Sequence, residues 1–176
     1  MDHEALVALI PRLRRYARAL TGDRPRADDL VQDTLERAMA KWSLWRPGSD
    51  LRAWTFTIMH NVFISEARRA MREAVPTDPA ILAASEFADG ATADVLVRLA
   101  RIERALQALS GEQREILLLV ALEGMSYDEV ANTLGLPAGT VMSRLSRARA
   151  RLAMLLDGQP AQAAHADASH ALKLVK

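Results

Sequence analysis

Between Ser126 and Leu152 the chain reads SYDEVANTLGLPAGTVMSRLSRARARL, and little besides two helices around a tight turn fits it. Ser126 with Glu129 three residues on forms a capping box, which satisfies amide donors that a helix start otherwise leaves open. Val130, Ala131 and Leu134 give the first helix an apolar side. Gly135 ends it, because glycine enters the left-handed backbone region without a Cβ penalty. Leu136-Pro137 interrupts, and Gly139-Thr140 opens the next helix. Small Ala131 allows close approach, and Val141 fills the angle between the two helices. This is the spacing of a helix-turn-helix.

At about 100° per residue, Val141, Leu145, Ala148, Leu152 and Leu155 fall on one side of the second helix. Met142, Ser143, Ser146, Arg147 and Ala150 lie opposite, with Arg144 and Arg151 on one flank and Arg149 on the other. Short side chains let a helix sink into the major groove, where an arginine can reach a guanine edge and flanking arginines hold phosphates. No acid occurs between Glu129 and Asp157 to repel them. A solvated basic face is the alternative, but the register of turn and core stripe favours DNA.

The 23 basic and 22 acidic residues give a formal net charge of +1, so basic character is local and the chain is no general polyanion binder. There are no cysteines, which excludes disulfides, thiol catalysis and thiolate zinc sites and fits a reducing cytoplasm. The four histidines lack metal-ligand spacing. With no phosphate-binding glycine loop and no nucleophile–histidine pair, neither an enzyme nor a cofactor is expected. No apolar run approaches the roughly 20 residues of a membrane span, and the acidic start of MDHEALVALIPRLRR is unlike a signal peptide.

The pattern predicts an all-α chain of two small helical domains, 1–74 and 96–157, joined by an acidic flexible linker over 75–95 and followed by a disordered tail over 158–176. In the first domain, residues 3–20 carry an apolar stripe of Leu6, Leu9, Ile10, Leu13, Ala17 and Leu20, with Pro11 either starting or bending the helix. Arg12, Arg14, Arg15 and Arg18 are assigned to a solvated outer face. Residues 26–42 form a second helix with Asp29, Gln32, Asp33 and Glu36 outside, a face for solubility or for docking a basic partner helix. Residues 51–72 place apolar side chains in many directions. That segment is either buried on several sides or broken near His60-Asn61. Its aromatics and Arg68, Arg69 and Arg72 pair stacking surfaces with cations, as single-strand recognition does, although packing explains Trp54 better. The linker VPTDPAILAASEFADGATADV has acids but no Lys or Arg. The second domain begins with a helix whose inner side is Leu96, Leu99, Ile102, Leu106 and Leu109. Ser110 with Gln113 caps the next, at 111–123.

Three blocks in this order, ADDLVQDTLERA (27–38), LRAWTFTIMHNVFISEARR (51–69) and the stretch 109–152, resemble the extracytoplasmic-function (ECF) sigma factors of bacterial RNA polymerase. The overall spacing resembles the alphaproteobacterial general-stress subgroup. The resemblance implies promoter-directed transcription initiation without covalent chemistry. It also implies a cytoplasmic protein whose partners are core RNA polymerase (β′ and β subunits), promoter DNA and an anti-sigma factor, with no membrane insertion. Asp29, Gln32, Asp33 and Glu36 would face the β′ clamp helices. His60, Asn61, Phe63, Ser65, Arg68 and Arg69 would open and read the minus-ten element, Asn61 matching the loop that captures a flipped base. Met142, Ser143, Ser146 and Arg147 would meet minus-thirty-five bases, with Arg144, Arg149 and Arg151 beside them. Met142 and Ser146 depart from the family's usual basic and aromatic residues, so the promoter sequence stays open. A sigma mimic that titrates an anti-sigma factor and a conventional helix-turn-helix regulator are the two rivals.

Overall fold

The computed structural model describes residues 3–73 and 93–157, which form seven α-helices and no strand. The expected tail, and all but the last three residues of the expected linker, lie outside the described residues. The front module comprises α1 (His3–Thr21), α2 (Arg24–Ala40) and α3 (Leu51–Glu73), with a 3-10 turn at Trp42–Leu44. The rear module comprises α4 (Ala93–Gln107), α5 (Gly111–Ala121), α6 (Tyr127–Leu134) and α7 (Ala138–Leu156).

α1 runs through Pro11 as one helix and buries Leu6, Leu13, Tyr16, Ala17 and Leu20. The missing proline amide would have bonded the carbonyl of Val7, whose residue is 60% exposed, so water can serve that carbonyl. Gly22 turns the chain at φ +69°, and a Cβ there would collide with the Gln107 side chain, which donates to the Ala19 carbonyl at 3.0 Å. Asp23 caps α2 by accepting from the Arg26 amide at 2.9 Å. Unbroken α3 resolves its ambiguous pattern through burial on several sides. Phe56, Ile58, Met59 and Val62 are enclosed, and Tyr16 meets Phe56 edge-to-face at 5.0 Å. Trp54 is half-buried and lies edge-on to Trp42 at 6.2 Å.

α4 begins at Ala93, so residues 93–95 form its first turn. Ile102 does not face inward as its spacing suggests. It is 43% exposed, and Ala105 takes the buried position on α4, which packs against both α1 and α7. Ser110 with Gln113 and Ser126 with Glu129 both form complete capping boxes. Gly135 closes α6 at φ +64°, where the Leu136 amide donates back to the Ala131 carbonyl at 2.9 Å. Val130, Ala131, Val141, Leu145 and Ala148 are buried where α5, α6 and α7 meet.

The two modules pack together, α3 against α6 and α1 against α5 and α4. The arginines of α1 assigned to solvent divide accordingly. Arg14 is exposed, whereas Arg12 and Arg15 reach across to Glu123.

Candidate nucleic-acid interface

α7 owes its direction to the core stripe, and burying Val141, Leu145 and Ala148 turns the opposite side outward. Met142, Ser143, Ser146, Arg147, Arg149 and Ala150 are all exposed. Ser143 Oγ donates to the Thr140 carbonyl at 3.1 Å, and Arg147 Nε reaches the Ser143 carbonyl at 3.4 Å, so this guanidinium lies along its own helix. Arg144 and Arg151 are half-buried. Arg144 Nη1 donates to Glu112 Oε2 of α5 at 2.7 Å, so a counter-charge reaches this flank from another helix.

On α3 the candidates do not share one open face. Asn61, Ser65, Arg68 and Arg69 are exposed. Asn61 Nδ2 donates to the Thr57 carbonyl at 2.9 Å, and Ser65 Oγ to the Asn61 carbonyl at 2.7 Å. His60 and Phe63 instead turn toward the rear module. His60 Nδ1 lies 2.8 Å from Glu115 Oε1, and the Phe63 ring packs beside Gly111. Burial pushes the Glu115 carboxyl above its ordinary value, opposed by the bond to His60 and assisted by Glu112. A cleft of about 240 Å³ lies here, lined by His60, Ile64 and Arg68 on one side and by Glu112, Glu115 and Arg144 among the residues of the other.

The acidic side of α2 is open. Asp29, Gln32 and Glu36 are exposed and Asp33 half-buried, and Gln32 Nε2 donates to Glu36 Oε1 at 3.0 Å. Glu66 of α3 extends this patch. Its carboxyl is raised by burial and then by Asp33, with Arg26 and Arg69 pulling the other way. Sequence reasoning missed Glu66 and Glu115, because each gains its setting from another helix. Among the described residues no group of three or more His, Cys, Asp or Glu could hold a metal, and no helix is long and apolar enough to cross a membrane.

A helix-turn-helix module with an acid-free face, packed on a helical module carrying aromatic, basic and acidic surfaces, defines a DNA-binding transcription protein. A family model described as "Sigma2 domain of PhyR" matches residues 6–60, and one described as "Sigma-70, region 4" matches residues 99–152. The ECF RNA polymerase sigma factor EcfG of Rhodopseudomonas palustris is 41% identical over 151 residues, covering 86% of this chain and 82% of its own. The ECF sigma factor SigM of Mycobacterium tuberculosis is 38% identical over 144 residues, 82% of this chain and 71% of its own. The sigma factor RpoE, solved in complex with the anti-sigma factor NepR from Bartonella quintana, has a TM-score of 0.75 at 37% identity, covering 88% of this chain and 96% of that one. The chain belongs to the ECF RNA polymerase sigma factors.

Proposed function

We propose that this sigma factor works by dividing promoter reading between its modules while core RNA polymerase holds both. The observation that carries the reading is the exposed face of α7, where Met142, Ser143, Ser146 and Arg147 lie together over a buried stripe. In this reading they meet base edges of the minus-thirty-five element, and Arg144, Arg149 and Arg151 hold phosphates. His60, Asn61, Phe63, Ser65, Arg68 and Arg69 engage the unpaired minus-ten strand. A flipped base loses a few kcal/mol of stacking and pairing, which contact with the protein must offset. Asp29, Gln32, Asp33 and Glu36 dock the β′ clamp helices, a role that their exposure and the acidic neighbour Glu66 support.

The protein acts in the cytoplasm on stress-response promoters, performs no covalent chemistry and is restrained by an anti-sigma factor. The solved relative bound to NepR supports that last partner. We place the domains at residues 1–74 and 96–157, with α4 extending the second of them back to Ala93. Identity of 41% to EcfG supports a working sigma factor over a mimic that only titrates an inhibitor.

In vitro transcription with core polymerase tests the division of labour. Asp33→Arg should abolish core binding in a pull-down. Asn61→Ala should leave core binding intact while slowing promoter opening, followed by permanganate reactivity of unpaired thymines. Unchanged opening by Asn61→Ala removes that residue from the minus-ten site.

A further inference from the structure

Among the described residues, Arg12, Arg15 and Arg52 of the front module pair with Glu123 and Glu129 of the rear, so the front supplies cations and the rear carboxylates. Arg12 Nε donates to Glu123 Oε2 at 3.0 Å, and Arg15 Nη2 lies 3.4 Å from Glu123 Oε1. Arg52 of α3 donates to the Glu123 carbonyl at 2.9 Å and to Glu129 Oε1 at 3.0 Å. His60 Nδ1 also lies 2.8 Å from Glu115 Oε1, a contact that is ionic only when the imidazole carries a proton.

The side chain of Glu123 has no exposed surface, yet it stands in the short turn after α5, and both its ion-pair partners belong to α1. A carboxylate enclosed this way depends on its partners, since burying an unpaired charge is strongly unfavourable. Apolar packing and the bonds from Gln107 and Arg114 to the Ala19 and Leu20 carbonyls also join the modules, but the ionic part of the interface separates differently. Its groups rehydrate on separation, and salt screens the attraction that draws them together.

We infer that Glu123, seconded by Glu115, is a counter-ion latch that holds the chain in a closed form, with His60 and Phe63 partly covered by α5, and that this form exchanges with an open one. Closure itself needs no assumption about function. Its regulatory meaning rests on the proposed minus-ten role of α3, because His60 and Phe63, half-buried against the rear module, are only partly open to a nucleic-acid strand until the latch releases. A ligand shifts such an equilibrium only through its preference for one form.

The chain has no cysteine, so Arg14→Cys and Arg149→Cys, at exposed positions on α1 and α7, place a fluorescent donor and acceptor on the full-length protein. Energy transfer should be high at low ionic strength. It should fall by about two-fold between about 0.05 M and about 0.5 M salt, and by a similar factor at low salt in Glu123→Gln. Arg12→Glu with Arg15→Glu should open the chain likewise, and that pair combined with Glu123→Arg should recover much of the transfer, which loss of a merely structural carboxylate would not allow. If Glu123→Gln loses helicity by circular dichroism, Arg15→Gln at the exposed end of the pair carries the same test. Transfer that is insensitive to salt, to Glu123→Gln and to the paired arginine change overturns the latch, as does a charge swap that recovers nothing. If transfer behaves as expected while His60 and Phe63 variants open promoters normally, the latch stands and the minus-ten assignment fails.

Discussion

His60 of the front module and Glu115 of the rear module meet at 2.8 Å, although 55 residues separate them in sequence. The carboxylate is almost fully enclosed, and its raised pKa is chiefly a consequence of that burial. Unfolded, Glu115 would lose its proton in the ordinary carboxylate range; folded, it keeps the proton to higher pH. Its stabilising contribution is therefore complete below the unfolded value and is lost as pH rises through the folded one. Thermal unfolding from about pH 4 to about pH 7 should show the melting temperature of Glu115→Gln gaining on that of the parent as pH rises. Parallel curves would mean that Glu115 titrates alike in both states.

Arg147 and Arg149 lie two residues apart on α7 but should fail differently. Arg147→Ala should cost about 1–3 kcal/mol of binding and relax preference at one base pair, whereas Arg149→Ala should weaken all sequences alike and lower the salt slope by about one. Competition among single-base promoter variants, with the polymerase holoenzyme at two salt concentrations, distinguishes them. A uniform loss in Arg147→Ala would reassign that guanidinium to the backbone.

Arg144 is already engaged by Glu112 at 2.7 Å, on a carboxylate that is 66% exposed. Solvent-exposed pairs contribute about 0–1 kcal/mol. Glu112→Gln should thus change stability little while raising holoenzyme affinity for promoter duplex a few-fold, about 2–5-fold at low salt. Anisotropy titrations measure it, and unchanged affinity would show that Arg144 does not approach the phosphates.

Ser126 and Glu129 cap α6 reciprocally, with Ser126 N donating to Glu129 Oε2 at 2.7 Å and Glu129 N to Ser126 Oγ at 3.2 Å. Ser126→Ala should remove about 0.5–2 kcal/mol, or about 2–4 °C per kcal/mol in a chain of this size. Calorimetry should show the loss, and Ser126→Asp should restore most of it, since aspartate caps equally well.

What could be read in advance was whatever a few neighbouring residues decide. The capping boxes at Ser110 and Ser126, the αL turn at Gly135 and the buried stripe of α7 depend on side chains within one or two helical turns. Pairings over long separations could not be read. Arg12 and Arg15 look like ordinary solvated arginines until Glu123 is brought beside them from over 100 residues away. Ile102 misled for a related reason. Periodicity gives a helix an apolar side, but its neighbours decide how that side is rotated, and here, with α4 against α1 and α7, Ala105 is buried and Ile102 is not. On α3, hydrophobicity on all sides marked a central helix without telling which residues would turn toward α5.

All three tryptophans belong to one patch of the front module. Trp42 lies 5.3 Å from Trp45 and 6.2 Å from Trp54, ring centre to ring centre, and the rear module has none. Indole emission is therefore an optical gauge of the front half alone. If the rear half melted first, helicity would drop while the emission colour held steady, and the interval between the two signals would time one half losing its shape before the other.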